Sequence, residues 1–173
     1  MIEFFKEVPE LWESEKTIQR NEFLVSAGNT DQNTYYVLDG AIRVFVTINN
    51  EEHTIRFGYK DSIITPIHSF FENKPSPFYF QAIRKSSVLI MPRKNLDAFI
   101  SDNPQGMNVY NKLLEDLVLQ QMEREIDILT SSPAERLKRV LARSPQLFQE
   151  IPSKYIASYL RMSPETLSRI SKS

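Results

Sequence analysis

Residues 18–91 consist largely of short runs of β-branched and aromatic residues. This pattern constrains the fold more than any other feature of the sequence. Turn residues separate the runs, at Ala27-Gly28-Asn29, Asp39-Gly40, Asn49-Asn50 and Lys74-Pro75-Ser76-Pro77. The runs recur at intervals of roughly 8–12 residues, which is typical of an antiparallel barrel or sandwich. We therefore expect an N-terminal β domain.

One of these runs has a clear period of two. It has a β-branched apolar residue at every second position, at Ile42, Val44, Val46 and Ile48. Side chains two positions apart lie on the same face of a strand, so the pattern predicts that all four face the core. Asn49-Asn50 follows directly, and such a pair between two strand-like runs is typical of a hairpin tip.

After residue 102, the apolar residues recur at the spacing of a helix instead of in short strand-like runs. Asp102-Asn103-Pro104 offers a cap and a proline suited to the first helical turn. Apolar residues then recur at helical spacing, at Met107, Tyr110, Leu113, Leu114, Leu117, Val118, Met122, Ile126 and Leu129. Residues 103–130 are predicted to form a helix of about 25 residues, or ~37 Å.

This helix is longer than a small barrel can cover, so its apolar stripe has two interpretations. In the first, one flank packs on the barrel and the other on the same helix of a second copy, which gives a homodimer. In the second, the helix packs only within its own chain. The pattern favours the homodimer.

Two short helices are predicted within residues 151–170. Pro152-Ser153 begins the first helix and Arg161-Met162 ends it. Ser163 and Pro164 are suited to be the cap and the first residue of the second helix. Two short helices joined by a tight turn are typical of a helix-turn-helix, in which the start of the second helix enters the major groove of DNA.

Charge is distributed unevenly along the chain, although the formal net charge is −1. Residues 131–173 contain 8 Lys and Arg against 3 Asp and Glu, whereas residues 1–130 contain 13 against 19. A basic module beside an acidic one favours binding of a polyanion such as DNA by the basic module. The same excess of basic residues is also compatible with a solvated surface that binds no nucleic acid.

Four polar residues of the second helix are predicted to face outward: Glu165, Thr166, Ser168 and Arg169. Arginine can donate two hydrogen bonds to guanine, glutamate can accept one from N4 of cytosine, and serine or threonine can contact phosphate or the thymine methyl group. These residues therefore match the chemistry of base recognition. The same two helices also fit a helical hairpin that binds no nucleic acid.

The order of barrel, long helix and helix-turn-helix resembles the cyclic-AMP receptor protein/FNR family of bacterial transcription regulators over nearly the whole chain. Residues 20–28 (RNEFLVSAG) and 35–44 (YYVLDGAIRV) are similar to the two-glycine opening of cyclic-nucleotide-binding barrels. Residues 156–160 (IASYL) and 163–169 (SPETLSR) are similar to the family's recognition element.

The resemblance implies an α+β fold with three parts. They are an antiparallel β-barrel or jelly roll similar to cyclic-nucleotide-binding sensors in residues 1–102, a long dimerisation helix in 103–130 and a helix-turn-helix domain in 131–173. It also implies a homodimer on a pseudo-palindromic operator in double-stranded DNA. Arg169 and Glu165 are then expected to read bases, while Lys154, Ser163 and Thr166, with a basic residue such as Lys172, contact the DNA backbone.

The segment that matches the family's phosphate-binding cassette departs from its pattern. Family members that bind cyclic nucleotides carry a Gly-Glu pair and, about ten residues later, an arginine. Residues 61–78 contain no Gly-Glu, and Ser76 stands in the place of the arginine. Because a phosphate buried without a cation is costly, we expect that cyclic AMP does not bind.

Other effectors of the family are also disfavoured. The chain has no cysteine, which excludes a cysteine-ligated iron–sulfur cluster. Haem ligation by His53 or His68 is a weak hypothesis, because a single histidine is usually structural. Aromatic residues crowd the region, at Phe57, Tyr59, Phe70, Phe71, Phe78, Tyr79 and Phe80. They either line an apolar effector pocket or, as we favour, mostly fill the core.

The recognition helix departs from the family too. Pro164 stands where the cyclic-AMP receptor places its first base-reading arginine, so a different operator is expected. The sequence also ends at Ser173, soon after this helix, which is expected of either a compact or a truncated family member.

Enzymes and membrane proteins are disfavoured by the same sequence. It shows no nucleophile–base pair, no metal-ligand cluster and no glycine-rich phosphate loop. No apolar run approaches the ~20 residues that span a bilayer, and the acidic start argues against a signal peptide. We expect a cytoplasmic protein with no cofactor and no membrane partner, and with an unknown small-molecule effector if it has one. The alternative function is a small-molecule sensor or dimeric interaction module without DNA binding.

Overall fold

The computed structural model describes residues 8–172. The chain divides into two compact units, Met1–Tyr110 and Asn111–Ser173. Strands are concentrated in the first unit and helices in the second, so the fold class is α+β, as predicted. The boundary between the units falls inside the long helix. The three-part division at residues 102 and 130 stays a prediction.

The first unit contains two four-stranded antiparallel sheets. The strands are β1 (Ser14–Ile18), β2 (Phe23–Val25), β3 (Asn33–Asp39), β4 (Ala41–Ile48), β5 (Glu51–Tyr59), β6 (Ile63–Ile64), β7 (Tyr79–Ala82) and β8 (Ser86–Pro92). Their order is β1-β8-β3-β6 in one sheet and β2-β7-β4-β5 in the other. Because all consecutive strands except β4 and β5 fall in different sheets, the strands form the predicted jelly roll.

The core of the jelly roll lies between the two sheets and is filled by apolar side chains. Its buried members are Ile18, Leu24, Val25, Tyr35, Val37, Ile42, Val44, Ile64, Phe80, Ala82 and Val88. Both sheets contribute, with Val37 and Val88 from one and Ile42 and Phe80 from the other. Burial of this apolar surface is the main stabilising term of the unit.

Gly40 makes the turn between β3 and β4, and glycine is required there. Its φ of 96° lies in the left-handed region, which side chains with a Cβ rarely adopt. A Cβ at this position would also collide with Ser86, whose hydroxyl accepts a hydrogen bond from the Ala41 N–H at 3.0 Å. The other glycine of the opening motif, Gly28, also has a positive φ, of 84°.

The hairpin of β4 and β5 confirms one prediction and corrects another. Asn49 and Asn50 form its tip with φ values of 51° and 64°, as predicted. Val46 and Ile48, however, do not join the core: Val46 is half-buried and Ile48 is 52% exposed. β7 pairs with β4 only from Ile42 to Phe45, so the last residues of β4 extend beyond this neighbouring strand toward the hairpin tip.

The helices are α1 (Ile67–Glu72), α2 (Arg93–Asp102), α3 (Pro104–Leu129), α4 (Pro133–Arg143), α5 (Leu147–Glu150), α6 (Ser153–Tyr159) and α7 (Pro164–Ile170), and a 3-10 turn spans Pro9–Leu11. Among the helices of residues 8–172, none has the length and apolar character needed to cross a bilayer.

The start of α3 follows the sequence signals. The side chain of Asn103 accepts hydrogen bonds from the N–H groups of Gln105 at 2.9 Å and Gly106 at 3.3 Å. These bonds satisfy donors that a helix N-terminus leaves unpaired. Pro104 occupies the first helical position, where its missing N–H has no cost.

The second unit contains the C-terminal part of α3 and the four helices that follow it. Ser132 caps α4 by accepting a hydrogen bond from the Glu135 N–H at 3.3 Å. The buried side chains of the unit come from different helices, and include Leu137 and Val140 of α4, Leu147 of α5, Ile156 of α6 and Leu167 of α7. This packing holds the last two helices in a defined arrangement.

Candidate functional site

The two short helices near the C-terminal end, α6 and α7, are joined by residues 160–163. Arg161 makes the turn with a φ of 53°, and its N–H donates to the Ser158 carbonyl at 3.1 Å. The Met162 N–H donates to the Ala157 carbonyl at 3.0 Å. The turn therefore ends α6 at the residues predicted to break it.

The second helix starts at the predicted cap. The Ser163 hydroxyl accepts a hydrogen bond from the Thr166 N–H at 3.2 Å, and Pro164 is the first helical residue. Leu167 is only 1% exposed and fixes the inner face of α7 in the unit. Capped at one end and anchored in the middle, α7 presents its other side to solvent.

The structure places five of the six candidate DNA contacts on or beside α7. Ser163, Glu165, Ser168 and Arg169 are exposed there, and Thr166 is half-buried. Lys154 lies at the start of α6 and is also exposed, with its Nζ 4.6 Å from the centre of the Tyr155 ring. Thr166 is less exposed than predicted, and its hydroxyl lies 3.2 Å from that of Ser163.

Glu165 is held in its charged form at the start of α7. A hydrogen bond from its own backbone N–H, followed by one from the Ser163 side chain, lowers the pKa of Glu165 from its ordinary value. A negative charge is also favoured near a helix N-terminus. As a carboxylate, Glu165 only accepts hydrogen bonds, so it is suited to the amino group of a cytosine and disfavours a phosphate.

Arg136 supports the turn, and sequence reasoning did not single it out. Its Nη1 donates to the carbonyl oxygens of Leu160 at 2.8 Å and Arg161 at 3.3 Å. These carbonyls lie at the end of α6, where no partner within the helix is available. A cation at a helix C-terminus is also favourable. Arg136 therefore holds the turn instead of facing a polyanion.

Two other basic residues of the tail also bind carboxylates of their own unit. Arg139 and Arg143 pair with Glu123 and Asp127 of α3. The acidic residues of α3 thus offset much of the excess positive charge, since residues 111–173 contain ten Lys and Arg against eight Asp and Glu. The shared four-residue spacing of the two arginines and the two acids was a usable signal, because such pairs lie on one helix face.

In the cassette segment of the jelly roll, the buried Ser76 stands at the position of the family's phosphate-binding arginine. Ser76 is 1% exposed, and its hydroxyl accepts a hydrogen bond from the Phe78 N–H at 3.1 Å. Lys74 is the only lysine or arginine in residues 61–78. It is exposed and pairs with Glu72 at 2.7 Å, which lowers the pKa of Glu72 and raises that of Lys74.

The crowded aromatic residues do not share one environment. Phe80 belongs to the core and Phe70 is buried, whereas Phe71 is exposed. Tyr79 stacks on Phe45 with ring centres 5.0 Å apart. Among residues 8–172, no cluster of three or more His, Asp or Glu side chains is placed to hold a metal ion. His68 is exposed, and the centre of its ring lies 5.5 Å from that of Phe78.

Solved structures with the same fold include several regulators. FixK2 from Bradyrhizobium japonicum has a TM-score of 0.79 at 17% identity, with 92% of this chain and 82% of that one covered. The catabolite activator protein of Thermus thermophilus has a TM-score of 0.60 at 20% identity, with 99% and 85% covered. The c-di-GMP-responsive global regulator CLP of Xanthomonas campestris has a TM-score of 0.69 at 12% identity, with 92% and 84% covered.

Sequence comparison gives a family for the β unit. A comparison with curated proteins found no match. Residues 15–103, however, match the cyclic nucleotide-binding domain. They include the eight strands apart from the first residue of β1, both turn glycines and all of the altered cassette. The chain belongs to the cyclic nucleotide-binding domain family.

Proposed function

We propose that this protein is a transcription regulator that binds specific DNA sequences as a homodimer. The observation that carries the proposal is the exposed polar side of α7, capped by Ser163 and anchored by Leu167, in a chain with a cyclic nucleotide-binding domain. The names of two structures with this fold, a catabolite activator and a global regulator, support a role in transcription. Residues 1–102 are then the sensor-like domain, 103–130 the dimerisation helix and 131–173 the DNA-binding domain.

The contacts to DNA divide by chemistry. Arg169 and Glu165 read base edges, as a donor to guanine and an acceptor from cytosine. Ser168 lies beside Arg169 and contacts either a base or a phosphate. Lys154, Ser163 and Thr166 bind the backbone, where cations and small polar groups position a protein without reading sequence. Lys172, exposed after α7, adds a further cation.

The homodimer is supported by an apolar stripe on α3. Five exposed side chains form the stripe: Val118 (60% exposed), Leu119 (59%), Met122 (53%), Ile126 (43%) and Leu129 (75%). Four of them, from Leu119 onward, follow one another at intervals of three or four residues, which is the spacing of a coiled-coil seam. A second copy of the same helix covers such a stripe symmetrically.

Selection from random double-stranded DNA tests the proposal. The full chain is incubated with the library, with and without an extract of cell metabolites, and the bound sequences are determined. We expect an enriched site with two inverted half-sites, because each protomer presents one α7. Enrichment that appears only with the extract would identify dependence on an effector. A library without enrichment in either condition contradicts sequence-specific binding.

Cyclic AMP is expected not to bind. Ser76 is buried and engaged with the Phe78 N–H, and Lys74 is paired with Glu72 at the surface, so a phosphate would enter without a compensating charge. Isothermal titration of the full chain with cyclic AMP should give no heat of binding at concentrations up to about 1 mM, the range of the weakest ligand sites. Micromolar binding would show that another group supplies the charge.

Lys154→Ala is expected to weaken binding to all DNA sequences alike. The side chain is exposed at the start of α6, and a phosphate contact contributes to affinity without selecting bases. The dimer loses two contacts, one from each protomer, which should reduce the slope of log affinity against log salt concentration by about 1.8. Fluorescence anisotropy on the selected site and on random DNA measures both effects. A loss confined to the selected site would make Lys154 a base-reading residue.

The alternative function is a dimeric interaction or sensor module without DNA binding. The engagement of Arg136, Arg139 and Arg143 within their own unit favours it, since it reduces the charge offered to a polyanion. A salt titration separates the two functions. A DNA-binding protein loses affinity steeply as salt rises, whereas an interaction module forms no measurable complex even at low salt.

A further inference from the structure

Helices α3 and α4 are joined by three residues, 130–132, and four charged side chains bridge this short connection. Glu123 and Asp127 lie one turn apart on α3, and Arg139 and Arg143 lie one turn apart on α4. We call these four residues the ionic brace. Because each pair is spaced by four positions, both members lie on one face of their helix.

The geometry of the brace is that of a two-by-two network. Arg139 donates from Nε to Oδ1 of Asp127 at 2.9 Å and from Nη2 to Oε2 of Glu123 at 2.7 Å. Arg143 donates from Nη1 to Oε2 of Glu123 at 3.1 Å and from Nη2 to Oδ2 of Asp127. Each guanidinium therefore binds both carboxylates, which restrains the helices against sliding as well as against separation.

Asp127 is the centre of the network because it is completely buried. Its side chain is 0% exposed, whereas Glu123 is 43% exposed and the two arginines are about one-third exposed, at 31% and 34%. A buried carboxylate without its partners is strongly unfavourable. Any movement of α4 away from α3 would leave this charge unpaired. The connection between the helices is thereby prevented from acting as a free joint.

The brace continues into the helix-turn-helix. Arg136 of α4 donates to the carbonyl oxygens of Leu160 and Arg161 in the turn. A second contact joins α3 to α6, where the Arg124 guanidinium lies 3.9 Å from the centre of the Tyr159 ring. The helix-turn-helix is therefore bound to α4 through its turn and to α3 through α6.

We propose that the ionic brace sets the half-site spacing of the DNA that the dimer accepts, with Asp127 as the positioning residue. The inference rests on the proposed function, since it assumes that α3 forms the dimer and α7 enters the groove. If α4 is fixed on α3, the two recognition helices of a dimer are held at one separation and one relative rotation. Asp127 then determines specificity without touching DNA.

Spacing is a stringent readout of such a restraint. One inserted base pair moves a half-site by about 3.4 Å along the duplex and rotates it by about 35°. A rigid pair of recognition helices cannot follow both changes and loses one half of its contacts. A pair with loose α4 helices can follow them at small cost. The preference for one spacing therefore measures rigidity, whereas binding to a single half-site does not.

The first arm of the test measures affinity for the selected operator and for the same operator with one base pair inserted or deleted between its half-sites. We expect Asp127→Asn to reduce the preference for the native spacing by about tenfold or more, with little change in binding to a single half-site. Glu123→Gln removes the exposed carboxylate and should have a smaller effect in the same direction. Glu125→Gln, at an exposed position of α3, is the control and should match the wild-type chain.

The second arm needs no DNA and therefore separates this inference from the proposed function. Because the chain has no cysteine, Gln121→Cys and Gln149→Cys allow two spin labels at exposed positions on α3 and α5. Dipolar electron paramagnetic resonance, with excess unlabelled chain, then gives the distance distribution within one protomer. We expect a narrow distribution for the wild type and for Glu125→Gln, and a broader one for Asp127→Asn and Glu123→Gln.

Each outcome of the two arms is decisive. If the wild type binds no DNA, the proposed function fails and the distance distribution alone tests the brace. If Asp127→Asn does not fold, the spacing preference and the distance distribution of Glu123→Gln test the proposal. If the distance distributions of both variants are as narrow as that of the wild type, the ionic brace does not restrain α4 on α3. Broadened distributions with an unchanged spacing preference would overturn its role in specificity.

Discussion

Met122→Glu is expected to convert the protein from a dimer to a monomer. Met122 is 53% exposed in the middle of the apolar stripe of α3, and the proposed symmetric contact would bring two glutamates together in an apolar seam. An uncompensated charge of this kind costs about 3–5 kcal/mol. Sedimentation equilibrium should show a monomer at concentrations where the wild type is dimeric.

The same variant should lose affinity for the operator by a factor of about 10²–10⁴, because the two recognition helices no longer bind together. Gln121→Glu is the matched control, since it adds the same charge at the neighbouring exposed position outside the stripe. Circular dichroism verifies that α3 still folds. A dimeric Met122→Glu with wild-type affinity would show that the stripe is not the dimer interface.

Arg169→Ala is expected to cost about 1–3 kcal/mol on the selected operator and to relax the preference at one base position. Arg169 is exposed on the last turn of α7, and Leu167 holds the helix in place. Circular dichroism checks that the Arg169→Ala variant keeps the helical content of the wild type. A competition assay with operators mutated singly at each position identifies the base pair that Arg169 reads.

Lys154→Ala provides the comparison for this experiment, since it removes a cation from the same surface without removing a proposed base contact. Arg169→Ala should show a larger loss on the operator than on random DNA, whereas Lys154→Ala should show equal losses. Equal losses for Arg169→Ala would assign this arginine to the backbone and leave base reading to other residues of α7.

Local signals predicted most of the fold because they depend on neighbouring residues only. Short β-branched and aromatic runs between turn residues predicted the strands now found as β3, β4, β5, β7 and β8. The Ser163-Pro164 pair predicted the start of α7, and the Asn49-Asn50 pair predicted a hairpin tip. Short elements without a strong period were missed, among them the charged strand β1 and the two-residue strand β6.

Features that depend on distant residues were harder to predict. Pairing of β4 with β7 ends at Phe45, which the local sequence does not indicate, so Ile48 was placed in the core although it is exposed. The partners of Arg139 and Arg143 lie 12–20 residues earlier on another helix. A count of charges predicts a basic surface there, whereas only the packing of the helices reveals that these arginines are neutralised.

The candidate DNA contacts illustrate the same limit. Capping rules placed Ser163, Glu165 and Arg169 correctly on the exposed side of α7. Thr166 is half-buried, and a helical period of 3.6 residues does not resolve such an intermediate position. The roles of all six candidates at DNA stay predictions until the selected operator is known.

The filled interior of the jelly roll has a consequence for thermal stability. A barrel built around a nucleotide gains stability from its ligand by mass action, and its melting temperature rises with ligand concentration. Here Phe80, Ile42 and Val88 already occupy the space between the sheets. Because we propose that cyclic AMP does not bind, we expect it to leave the melting temperature of this unit unchanged.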